Sequence, residues 1–150
     1  MTSIDPNNFF EMLSKKGAIF NLPGEYADLN GRASMGETSL HALIEMGQED
    51  ENKTLPMVEF LISKGAKVDA LCVSERSPLH VAATFGMTKT ALVLLENGAS
   101  SNLTDCFGHT PQAMAEKNGH ISTLDALRAW EAKKASHEII GELTTKPAQP

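Results

Sequence analysis

The sequence predicts an all-α solenoid, a stack of helix–turn–helix units joined by hairpin loops, and three observations carry that prediction. Ser77-Pro78-Leu79-His80 has counterparts in Thr38-Ser39-Leu40-His41 and Thr110-Pro111-Gln112-Ala113. Gly65-Ala66 returns as Gly98-Ala99, Gly86 returns as Gly119 and Ser77 returns as Thr110, each 33 residues on. Aromatic residues make up only 5% of a chain that is 41% hydrophobic, which suits helices stacked through small side chains better than a large β-sandwich. A fixed period of this size means that each unit is one supersecondary element burying its apolar face on its neighbours.

The elements follow in order. Residues 1–130 are expected to form one repeat domain: a half unit at 6–33, then units at about 34–70, 71–103 and 104–130. In the half unit, Pro6 to Ala18 corresponds to a second helix, with Phe10, Leu13 and Gly17 at the places of Val58, Leu61 and Gly65. Thr38, Ser77 and Thr110 are hydroxyl N-caps, and Pro78 and Pro111 follow at the first helical position, where a missing N–H does no harm. A short first helix buries Leu79, Ala82 and Ala83. Gly47, Gly86 and Gly119 are expected to take positive φ and turn the chain into a second helix. That helix carries Val58, Leu61 and Ile62, then Ala91, Leu94 and Leu95, at the i, i+3, i+4 spacing of a buried stripe. Gly65 and Gly98 end it.

Between the first two full units the helix-start signal moves by 39 residues, an excess of six that falls in the polar stretch Gln48–Lys53. A solvated loop is expected there, although Glu49-Asp50-Glu51 could also attract a cation or a basic partner. The stripe position of Ile62 and Leu95 becomes Ser14 at one end and Arg128 at the other, as polar end caps require. Glu131-Ala132 stands where a Gly-Ala stop is due, so the last helix is expected to run past Trp130 to Ser136. Residues 131–150 are then a helical extension and a tail, disordered from Thr144.

A 33-residue period with a T-P-L-H signature resembles the ankyrin-repeat family, and the likeness covers residues 6 to about 130. Ser77 to Asn102 is the best unit: S-P-L-H-V-A-A, a glycine, a Leu-Leu pair, Gly-Ala and Asn102. Ser39 in place of proline, Gln112-Ala113 in place of Leu-His, and a long first hairpin between Asn21 and Gly36 depart from the pattern. The resemblance implies that His41 and His80 bond hairpin backbone and tie neighbouring units together. It also implies that Asn102 can be hydroxylated, with Leu94, eight residues earlier, assisting.

Little in the chain points to catalysis. No H-E-x-x-H, C-x-x-C, 2-His-1-carboxylate or G-x-G-x-x-G spacing occurs, so no metal, no cofactor and no enzyme activity is expected. Cys72 and Cys106 are the only cysteines and are expected to stay unpaired, in a cytosolic or nuclear setting. A Cys106–His109 nucleophile pair lacks an orienting third group. A net charge of −6 and the want of basic–aromatic runs argue against nucleic acid, and the want of a long apolar run or secretory leader argues against a membrane.

The resemblance implies a non-catalytic protein-binding module. Carried over by position, its partner-binding residues are Met35 and Glu37; Val73, Ser74 and Arg76; and Cys106, Phe107 and His109 at the hairpins. Glu45 and Met46, Thr84 and Phe85, and Lys117 and Asn118 come from the ends of the first helices. Phe85 and Phe107 would anchor an exposed apolar patch, with Arg76 beside them; the alternative for Phe85 is that it folds back on the Gly86 turn. A dedicated inhibitor of one enzyme is the alternative to an adaptor, and an enzyme with an unrecognised pocket is the remote one.

Overall fold

A computed structural model describes Gly36 and residues 38–145. The half unit at 6–33, Ser14, Met35 and Glu37 lie outside the described residues, as does the side chain of Met46. Six helices form in pairs, and no strand occurs among the described residues: α1 Ser39–Met46 with α2 Glu51–Ser63, α3 Pro78–Thr84 with α4 Thr88–Glu96, and α5 Pro111–Lys117 with α6 Ile121–Thr145. First helices pack on first helices (α1 on α3 on α5) and second helices on second helices (α2 on α4 on α6). The result is a two-layer stack.

The caps stand where the sequence puts them. Thr38, Ser77 and Thr110 precede α1, α3 and α5 in extended backbone, and Pro78 and Pro111 open α3 and α5. Ser77 Oγ accepts from the His80 amide and Thr110 Oγ1 from the Ala113 amide, each supplying a partner to an otherwise orphaned N–H. Leu79, Ala82, Ala83, Val58, Leu61, Ala91 and Leu94 are fully buried, and Leu95 nearly so. Arg128 is exposed, leaving a polar outer face on α6. Ile62 is only half-buried, and Met87 and Met114, which no repeat signal marks, complete the core.

The histidines join the layers. The amide of Thr38 donates to His41 Nδ1 at 3.2 Å, and that of Ser77 to His80 Nδ1 at 3.1 Å. Nδ1 is therefore the bare nitrogen, and Nε2–H donates to the carbonyl of Arg76 from His41 (2.8 Å) and of His109 from His80 (2.9 Å). One ring thus fastens its own helix start to the hairpin of the next unit. His120 does similar work further along: its Nε2 lies 3.0 Å from the Thr84 carbonyl. Its ring sits so close over Gly86, at φ +69, that an added Cβ would come within 2.5 Å of Nδ1.

Three expectations need correction. Gly47 has φ −84, not a positive value. Close approach of Thr54 demands the glycine instead, since a Cβ would fall 2.0 Å from Thr54 Oγ1, which donates to the Gly47 and Asp50 carbonyls. The polar excess is not a loop. It forms a 3-10 turn, Gly47–Glu49, and an added first turn on α2, capped by Asp50 accepting from the Lys53 amide. α2 consequently runs 13 residues against 9 in α4, and Pro56, which register would put near the helix start, lies inside it. Finally, α6 continues beyond Ser136 to Thr145, so Thr144 and Thr145 are helical. With no Gly-Ala stop and no proline until Pro147, nothing local breaks it.

Candidate binding edge

Two hairpins in register build the edge. In residues 72–76 the Cys72 amide donates to the Arg76 carbonyl and the Glu75 amide to the Cys72 carbonyl; in 105–109 the Asp105 amide donates to His109 and the Gly108 amide to Asp105. The Cys106 amide then donates to the Ser74 carbonyl at 3.0 Å, holding the two hairpins side by side. Their tips point apolar side chains at solvent: Val73 is 69% exposed and Phe107 73%.

The same turn is made by different chemistry in each. Asp105, fully buried, accepts from the amides of Phe107 (3.0 Å) and His109 (2.8 Å) through Oδ1. Its Oδ2 lies 3.8 Å from Arg76 Nε, and Oδ1 lies 3.6 Å from His109 Nδ1. Burial alone would raise the carboxyl's pKa. The two amides, helped by the neighbouring imidazoles of His109 and His80, outweigh it and hold the group below its ordinary value. One hairpin earlier, Cys72 occupies the aspartate's place and cannot accept in this way. There Glu75 also stands where Gly108 stands, at φ +58, a left-handed conformation that costs a residue with a Cβ about 1–2 kcal/mol. The edge is thus rigid at one tip and strained at the other.

Behind the tips lies a groove of about 200 Å³ lined by Glu45, Cys72, Ser74, Arg76, Val81, Thr84 and Phe85. The structure therefore brings five of the residues singled out in the sequence into one concavity: Glu45, Ser74, Arg76, Thr84 and Phe85. Phe85 is not the free anchor expected; it is half-buried and packs against the core. Ser74, Arg76, Thr84 and His109 are half-buried, whereas Glu45, Cys106, Lys117 and Asn118 are exposed. Lys117 and Asn118 end α5 one unit away from the groove, and Asn118 turns its amide back to the Met114 carbonyl. Asn102 is exposed.

Sequence reading missed Asp105, Glu75, Cys72 and Val81 as parts of this edge. The signal for the first three was available: aligned at 33 residues, Asp105 and Gly108 face Cys72 and Glu75. Val81 gave none, because an aliphatic residue in a short helix is ordinarily core. Both cysteines are free thiols. No helix among the described residues is long and apolar enough to cross a membrane.

Comparison with known proteins agrees with this geometry. The family described as Ankyrin repeats (3 copies) matches residues 51–138, more than half of the chain. The mouse B-cell lymphoma 3 protein homolog is 35% identical over 86 residues, 57% of this chain and 18% of that protein. Ankyrin repeat domain-containing protein 37 of Bos taurus is 34% identical over 87 residues, 56% of this chain and 54% of that protein. The potassium channel AKT1 of Oryza sativa subsp. indica is 32% identical over 103 residues, 69% of this chain and 11% of the channel. The chain spans between 11% and 54% of the length of these relatives.

Proposed function

The chain belongs to the ankyrin-repeat family, and we propose that it works as such repeats generally do, binding another protein without catalysis. The observation that carries this reading is the pair of exposed apolar tips, Val73 and Phe107, set beside a groove on the first-helix side of the stack. Because the two tips stand on hairpins tied by the Cys106–Ser74 hydrogen bond, one partner surface can cover both, as at an apolar interaction patch. Scattered polar groups on an open edge give no enclosed pocket in which to assemble a reacting centre. The role proposed is that of an adaptor in the cytosol or nucleus, where its two thiols stay reduced.

Affinity purification from the native source tests it, with the full chain and a Val73→Ser/Phe107→Ala double variant as baits. The native chain is expected to retain a partner that the double variant loses, while Lys89→Ala, on the second-helix side, retains it. Equal retention by native chain and double variant would remove the edge from consideration. The family resemblance adds hydroxylation of Asn102 to the proposal. Leu94 is fully buried, so a modifying enzyme would reach it only after the hairpin opens. Intact mass of the native peptide containing Asn102 should show one added oxygen, and its consistent absence retires the idea.

A further inference from the structure

The charge on this edge is less balanced than its composition suggests. Arg76 is the basic residue of the groove, but its guanidinium lies against the buried carboxylate of Asp105 at 3.8 Å. That ion pair, made without a hydrogen bond by a side chain 37% exposed, offsets part of its charge within the protein. Glu45, on the groove wall, and Glu75, at the hairpin tip, are exposed. Among the described residues neither carboxylate has a hydrogen bond or an ion pair. Lys117, the basic residue at the register position of Glu45 and Thr84, belongs to the end of α5 in the following unit. What the edge offers a visitor is therefore apolar surface flanked by unanswered negative charge, on a chain whose net charge is −6.

Glu75 deepens the point. The corresponding residues of the flanking hairpins are Gly36 and Gly108, at φ +69 and +80, and only here does a residue with a side chain take that conformation, at φ +58. Glycine would relieve the strain. A strained residue at an exposed site points to a use for its side chain outside the fold.

We infer that this edge docks a protein segment pairing a large apolar side chain with a lysine or arginine, the apolar group against Val73, Phe107 and the groove, and the cation at Glu75 and Glu45. The inference rests on the binding edge proposed above and adds the chemistry of the partner. Like-charged segments are repelled and neutral ones lose the charge contact, so selectivity comes from these carboxylates.

An array of 12-residue peptides in three classes tests it, each class holding an apolar anchor flanked by basic, by acidic or by neutral polar residues. The probes are the peptides themselves, with binding of the full chain measured at two salt concentrations. The native chain is expected to retain the basic class, more strongly at low salt. Phe107→Ala should weaken that binding about 30-fold, as for a hot-spot aromatic. Glu75→Gln should weaken it by up to about fivefold, the range of an exposed ion pair. Glu75→Gly should weaken binding similarly while raising the melting temperature, a combination that general misfolding does not produce. Preference for acidic or neutral peptides, or basic-peptide binding indifferent to Glu75→Gln, overturns the inference and leaves the edge standing if Phe107→Ala still matters. Binding indifferent to Phe107→Ala, or no binding in any class, overturns the edge itself.

Discussion

His80 uses both ring nitrogens on backbone, one accepting from Ser77 and one donating to His109, and only the neutral ring can do both. Burial lowers its pKa from the ordinary 6.5, against the pull of the His109 carbonyl and of Asp105. Because the folded ring resists protonation, the unfolded chain takes up the proton first as pH falls. The stabilisation is therefore complete above about pH 6.5 and declines as pH drops below it. Asp105, lowered from 3.8, contributes in full above that value and loses its contribution as pH falls through its lower folded value. Melting temperature should thus drop in two successive acid steps, and His80→Gln, although less stable throughout, should shrink the upper one, to which His41 in the same bonding also contributes. At the edge, Phe107→Ala should change folding stability by about 0.5 kcal/mol or less. Phe85→Ala, taken from a half-buried side chain on the core, should cost about 1–3 kcal/mol. Thermal melting of the two variants separates an exposed aromatic from a packed one.

The elements show how the six extra residues were absorbed. Helix α4 begins after Met87, whose side chain cannot cap. Its Thr90 amide is satisfied from the neighbouring unit, by Glu51 Oε1 at 2.7 Å, and Asn52 Oδ1 accepts from Lys89 Nζ at 2.9 Å. Both acceptors come from the added first turn of α2. That turn therefore fastens one second helix to the next, doing between units what a hydroxyl cap does within one. Glu51→Ala is expected to cost about 0.5–2 kcal/mol, the usual value of a lost cap, with reduced hydrogen-exchange protection at Thr90. Unchanged protection there would mean that water replaces the carboxylate without loss.

Across the whole molecule, stability depends on interfaces between units, because no helix pair here encloses a core of its own. Leu94 lies in the middle unit, fully buried between helices of its own pair and those flanking it. Leu94→Ala should cost about 2–5 kcal/mol, a large share of the roughly 5–15 kcal/mol typical of a domain. Urea unfolding should show the midpoint falling by that free energy divided by the denaturant slope, and an unchanged midpoint would place Leu94 outside the core. The binding edge spans two units as well, so weakening their interface should loosen the register of Val73 and Phe107 and weaken binding indirectly.

By itself the sequence determined the repeat, the caps at Thr38, Ser77 and Thr110 and the buried stripes, because each depends on spacing along the chain or on a residue's own backbone preference; the histidine ties came from the family resemblance. Gly98 ends a helix wherever it falls in such a pattern, and Pro111 opens one. Only the tertiary structure decided that Gly47 serves Thr54 rather than a turn, that Phe85 leans on the core, and that Glu51 caps a helix 39 residues away. It also decided that Arg76 faces the buried carboxylate of Asp105. Each of these depends on which groups from different units meet, and a 33-residue period fixes the register of the units without fixing the approach of individual atoms across them.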